Sequence, residues 1–215
     1  WETYFLVAEA LERQWVTPGE VGGLTAENAY NKAVKLSFIH FGVSQYYDDY
    51  ISSREYNRVG TSVAYNHTDP ASSVTMKYVD GYTDQEGTVQ YQYPDGTRTL
   101  YGNQLNDHLS KIFTQKYIAQ LPYLVQECWS DYRRVGLPFF DIIANEKMMT
   151  GTDMTEWDPE SWKSGQKWQY YPQRMRYPTT LDNANPTEYK HALELLGGAN
   201  TTMVPLWWSL AYSQK

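Results

Sequence analysis

The sequence predicts a mainly α fold: helix hairpins that carry long irregular loops and one small β-hairpin excursion. Apolar residues recur at helical spacing in stretches near both ends and in the middle of the chain, which is the signature of helices with one buried stripe. Gly or Pro closes most of those stretches. Between them, residues 58–103 and 139–186 lose the periodicity and fill with Thr, Tyr, Gly, Asp and Gln.

Residues 1–16 form the first predicted helix. Tyr4, Ala8, Leu11 and Trp15 fall on one stripe, and Thr17-Pro18-Gly19 ends it. Thr25 is placed to cap the next helix, with Glu27 in its first turn. Ala26, Ala29, Tyr30, Ala33, Val34, Phe38 and Phe41 make its apolar face, and Gly42 stops it. A short Gly-rich connection makes these two an antiparallel pair, close-packed through their small residues. Residues 43–57 read as a third, irregular helix.

Residues 58–103 read as a surface excursion. Val89 to Leu100 alternates around Asp95-Gly96, which predicts a hairpin, with Pro94 at its edge or turn. Helix returns over 104–120, with Leu105, Leu109, Ile112, Phe113 and Tyr117 on one face. Pro122 opens another, with Val125, Cys128, Trp129 and Tyr132 aligned, that ends near Gly136-Leu137-Pro138. Thr187 to Leu196 is the last, closed by Gly197-Gly198. The apolar end, Pro205 to Trp208, is expected to dock on the scaffold. No repeat of fixed period is present, so a tetratricopeptide-like array fits only loosely.

Composition narrows the function. The net charge of -7 and pI of about 5.1, without a basic stripe, argue against nucleic acid. The single Cys128 excludes an internal disulfide and a Cys-based zinc site, and its apolar spacing marks it as a core residue. No apolar run approaches the ~20 residues that a membrane helix needs. The chain opens on Trp1, so we expect a processed or truncated product, and any export signal would have to lie upstream. Tyr and Trp, at 20 and 8, far outnumber the 6 Phe. Rings with a flat apolar face and a polar edge suit wet surfaces and sugar rings, and they also fill helical cores.

Catalytic motifs are weak. Asp153, Glu156, Asp158 and Glu160 beside Trp157 could flank a glycosidic bond or hold calcium, but such clusters are more often solvated loop. Ser164 and Lys167 match Ser-x-x-Lys without its companion motifs. His40, His67, His108 and His191 lack zinc-site spacing, and no cofactor is expected. Asn66-His-Thr68 and Asn200-Thr-Thr202 fit the glycosylation sequon.

Several segments, in order, resemble the C-terminal half of SusD/RagB proteins. They are Phe5-Leu-Val-Ala8-Glu9-Ala10 with Trp15; Ala29-Tyr30-Asn-Lys-Ala33-Val34; and Ile112 with Gln115-Lys116-Tyr117. Then come Glu127-Cys-Trp129-Ser-Asp131-Tyr-Arg133-Arg134-Val-Gly136-Leu-Pro138, Pro172-Gln-Arg174-Met-Arg176-Tyr177-Pro178 with Asn183 or Asn185, and Gly197-Gly198 leading to Trp207-Trp208. Leu181 stands where that family often has a Glu after Tyr-Pro, which weakens any functional role for that acid but not the resemblance.

The resemblance implies a SusD-like, tetratricopeptide-like fold over residues 1–215, about half of an intact protein whose N-terminal part holds the lipid anchor. It also implies a non-enzymatic outer-membrane lipoprotein at the cell surface. Such a protein takes up an oligosaccharide or other nutrient and delivers it to a TonB-dependent, SusC-type transporter. Trp157 and Trp162, with Tyr78 and Tyr82 from the excursion, are the expected glycan-stacking residues. Glu9, Glu127 or Asp131 paired with Arg133, Arg134 or Arg174 are expected to pin helix ends together. Two alternatives stand beside this reading: a glycoside hydrolase using the acids near 153–160, and a tetratricopeptide-like scaffold for a peptide or protein.

Overall fold

The computed structural model describes residues 1–79, 83–92, 104–140, 172–202 and 204–209. Helices α1 (Glu2–Glu12) and α2 (Ala26–His40) pack as an antiparallel pair. Thr25 caps α2 by accepting from the Asn28 N–H at 3.2 Å. Between them, Glu20 accepts from both the N–H and the hydroxyl of Thr17, at 2.8 Å each, and shapes a short 3₁₀ turn. Ala8, Ala29 and Ala33 are fully buried where the two helices meet, so their backbones approach closely.

α1 ends earlier than its apolar stripe suggests. Gln14 turns the chain with φ 57° before Trp15, which is 64% exposed, with the Arg13 guanidinium 5.2 Å over its ring. The residues that seal α1 are Phe5, Ala8 and Glu9, one of them a carboxylate that the apolar pattern left out.

A short helix, α3 (Tyr47–Ile51), follows α2 and packs back on it. The strands β1 (Ser73–Val79) and β2 (Glu86–Gln92) form an antiparallel two-stranded hairpin, with Tyr78 opposite Gly87. Val89 to Gln92, the first part of the hairpin expected around Asp95-Gly96, lie in β2, which pairs with the upstream run 73–79; residues 93–103 lie outside those described. Ser73 to Val79 also alternates, and it sits closer to the scaffold, where Val74 is buried.

Helix α4 (His108–Gln120) begins four residues later than expected, because Asp107 takes the N-cap and accepts from Ser110 N–H at 2.6 Å. It is followed by α5 (Val125–Val135), which Gly136 closes with φ 71°. Two short elements end the description: α6 (Thr180–Ala184) and α7 (Pro186–Leu196), the latter closed by Gly197 at φ 69°.

α4 is the central element. Its Ile112 and Ala119 join Phe5, Tyr30 and Val34 in one apolar cluster, while Phe113 joins Leu105, Val135, Leu137 and Phe139 in a second. Burying each such large side chain contributes roughly 1.5–3 kcal/mol. The same helix also buries Lys111, Gln115, Lys116 and Gln120, and each finds a partner. Gln115 accepts from the Tyr50 hydroxyl at 2.9 Å, and Gln120 donates to Glu2 at 3.0 Å. Cys128 packs against Gln120 in this interior, where burial pushes its thiol up to about 11.

Lys111 closes the loop before the excursion. Its Nζ lies 3.0 Å from the Ser62 carbonyl, 2.7 Å from the Ser62 hydroxyl and 2.6 Å from Asn106 Oδ1. Burial drives its pKa down to about 7, partly opposed by the Asp107 charge. A lysine whose pKa is lower folded than unfolded makes the unfolded chain bind more protons above that value, so stability rises with pH from about 7 towards the unfolded value. Urea unfolding across that window is expected to show a Lys111 contribution of up to about 1.4 kcal/mol per pH unit. A Lys111→Met variant should lack it; an unchanged slope would show that Lys111 stays charged in the folded protein.

Candidate functional site

The expected glycan-stacking residues are not brought together within the described structure. Tyr78 is in β1, where its backbone alone is described. Tyr82, Trp157 and Trp162 lie outside the described residues, as do Asp153, Glu156, Asp158 and Glu160. The expected docking of the C-terminal apolar end is corrected in part: Pro205 and Ser209 are buried, but Trp207 is 80% exposed.

The charged residues are resolved in detail. Arg134, in the last turn of α5, reaches Glu9 on α1 through two parallel bonds of 2.7 and 2.8 Å, and Asp131 at 2.9 Å. Arg13 adds a third contact to Glu9 at 2.9 Å. Burial raises the Glu9 pKa, but the two guanidiniums outweigh it and hold the carboxyl below its usual value. Asp131 also meets Lys116 of α4 at 2.6 Å, and Lys116 meets Glu2 at 2.9 Å. One charge network thus crosses α1, α4 and α5. Sequence reasoning missed Lys116, Glu2 and Arg13, because nothing in a single helix's pattern distinguishes a buried lysine from a solvated one.

The other expected pins act differently. Arg133 turns away from the acids. Its guanidinium lies 3.7 Å from the Trp129 ring centroid and 4.7 Å from that of Trp208, and it donates to the Gln173 carbonyl at 2.8 Å. Glu127 is exposed and makes no ion pair among the described residues. Arg174 donates to Asn200 Oδ1 at 3.2 Å and to the Thr201 carbonyl at 3.0 Å.

Asn200 organises the segment around Tyr177. Its Oδ1 accepts from the Tyr177 N–H at 2.9 Å. Its Nδ2 donates to the Tyr177 carbonyl at 3.0 Å and to the Tyr189 hydroxyl at 3.1 Å. Trp129 Nε1 donates to the Pro172 carbonyl at 2.6 Å, which ties the same segment to α5.

Paired helices cross-braced by buried charges, with aromatic-rich excursions hung from them, define a helical scaffold whose loops are free to carry recognition. The chain belongs to the family described as SusD and RagB outer membrane lipoproteins, whose model matches residues 1–209. It is similar to the crystal structure of a SusD homologue from Parabacteroides distasonis, at 30% identity and a TM-score of 0.67, over 97% of this chain and 32% of that one. A chitin-binding SusD homologue from Flavobacterium johnsoniae shares the fold at 24% identity and a TM-score of 0.57, over 96% of this chain and 35% of that one. So does a SusD homologue from Bacteroides vulgatus, at 23% identity and a TM-score of 0.55, over 96% and 34%. The chain spans about a third of the length of these relatives, where the sequence resemblance implied about half. Among curated proteins none matches the chain.

Proposed function

We propose that this chain is the C-terminal part of a non-enzymatic, lipid-anchored protein of the outer cell surface that holds a glycan and passes it to a TonB-dependent, SusC-type transporter. Membership of the SusD and RagB family over residues 1–209 carries this reading. Residues 1–215 act as one unit, with 58–103 as an excursion from its helical scaffold. The glycan is held by ring stacking and hydrogen bonds, without turnover and without a cofactor. A relative of the same fold is described as chitin-binding, which supports the reading and makes chitin one member of the panel to be tried.

Trp157, Trp162, Tyr78 and Tyr82 are the stacking residues in this reading. Native electrophoresis of the intact protein through gels containing starch, xylan, pectin, glycol chitin or mucin tests it. One polysaccharide is expected to retard the protein and to release no new reducing ends. Replacing Trp157 and Trp162 together by Ala should weaken that retardation about tenfold, equivalent to ~1.4 kcal/mol. Unchanged retardation would remove these two rings from the site. Migration unaffected by every polysaccharide would count against the glycan itself and favour a peptide.

A further inference from the structure

A small cleft lies between the Tyr177 segment and the α6–α7 pair, with a volume of about 160 Å³. Tyr177, Leu181, Tyr189 and Ala192 give it apolar walls, and Asn185 and Glu188 stand with them at the start of α7. We propose that this cleft is a subsite for one pyranose ring of the glycan. The proposal rests on the glycan-binding reading above and adds residues to it.

Its lining is mostly apolar, as the C–H face of a pyranose requires, and polar groups stand only at its rim. Two tyrosine rings offer faces or edges to the C–H surface of a pyranose. Polar groups complete the rim. The Tyr189 hydroxyl accepts from Asn200 and keeps its own proton to donate. Asn185 uses its carbonyl oxygen to cap α7, and among the described residues its NH₂ group has no partner and can donate to a hydroxyl. The Glu188 carboxylate is 3.8 Å from His191 in an exposed pair, which leaves it lone pairs for sugar hydroxyls. A ring that presents donors and acceptors around an apolar face would match this arrangement.

The cleft is also built in advance. One side chain, Asn200, bonds both aromatic walls: the Tyr177 backbone twice and the Tyr189 hydroxyl once. Arg174 lies 4.4 Å from the Tyr177 ring centroid and supports it from one side. Walls held this way lose little freedom when a ligand enters, which lowers the entropic cost of binding. Leu181 stands among these walls and adds an apolar contact.

The test uses the intact protein with 3-fluorotyrosine incorporated, the Tyr177 and Tyr189 signals being assigned with Tyr→Phe variants. Chitotetraose, maltotetraose, xylotetraose and the dipeptide Phe-Leu are titrated in turn, alongside Ala192→Phe, which fills the cleft and leaves the Asn200 bonds in place. Circular dichroism and a thermal melt check that this variant is folded. Saturable shifts of both fluorine signals with one tetrasaccharide, and at least a tenfold weaker affinity in Ala192→Phe, are expected. If a polysaccharide retards the protein in gels but neither signal moves and Ala192→Phe binds as well, the subsite is overturned while the glycan reading stands. If no saccharide binds by either method, both fall together. Shifts with Phe-Leu alone would make the cleft a peptide site and overturn the proposal.

Discussion

Arg134→Ala is expected to destabilise the fold by about 3 kcal/mol, at the lower end of what removing one partner of a buried charge pair costs. The loss follows from geometry. Glu9 is only 3% exposed, and Arg134 supplies two of its bonds; Arg13 supplies the third. Without Arg134, a buried carboxylate keeps one partly exposed partner, and Asp131 loses one of its two cations. Arg134 is about one-third exposed, so water takes part of its place and the cost stays below the buried limit. Arg134→Lys should recover less than half of the loss, because an ammonium lacks the planar fork that meets both oxygens of Glu9. A double-mutant cycle with Glu9→Gln, read from urea midpoints at constant m-value, should give a coupling above 1 kcal/mol. A coupling near zero would mean that the pair is tolerated in the fold without supporting it. The same pair should fail in acid. The Glu9 pKa is lowered by folding, so its contribution is present above the usual carboxylate value and is lost as pH falls through the lower, folded one.

Asn106→Ala is expected to cost about 3–5 kcal/mol, since it removes several buried hydrogen bonds at once. Asn106 is fully buried at φ 61°. Its Oδ1 accepts from the Ser62 N–H at 2.8 Å and from Lys111 Nζ at 2.6 Å. Its Nδ2 donates to the His67 and Asp69 carbonyls at 2.9 and 2.7 Å. Alanine supplies none of these and also sits in a left-handed conformation that costs a Cβ-bearing residue about 1–2 kcal/mol. Asn106→Gly separates the two contributions. It removes the bonds but not the backbone freedom, so it should lose about 1 kcal/mol less than Ala if the backbone matters. A loss below 1 kcal/mol for Asn106→Ala would show that water replaces the amide and that the loop is not held by it.

The scaffold was legible where a single stripe decides burial. α2 follows its expected face from Ala29 to Val34, and its Thr25 cap is the bond that the sequence suggests. Gly136 and Gly197 end their helices in the left-handed conformation for which glycine is favoured. α4 was only half legible. Leu105 precedes it, Ile112 and Phe113 serve two different clusters, and the apolar pattern gave no sign that Lys111, Gln115, Lys116 and Gln120 are buried, by partners up to 118 residues away. Trp15 failed for the opposite reason: its spacing is helical, but Gln14 has already turned the chain aside. The pairing of 73–79 with 86–92 went unread although Asp80-Gly81 between them is the same turn dipeptide as Asp95-Gly96, which lies outside the described residues. The Tyr177 cleft was visible only as a Tyr-Pro motif. What makes it a cleft is Asn200, which is far along the chain and unremarkable in sequence.

The amide of Asn106 fastens the chain to itself at Asp69, so the polypeptide leaves the scaffold and returns to it at nearly one point. A loop whose two feet are already clipped together adds little strain when its length changes; each doubling costs only about 0.6 kcal/mol of closure entropy. The stretch between those feet is therefore a natural cassette. Beyond Ala71 and Val74, which belong to the core, its length can change while the braced helices beneath stay the same.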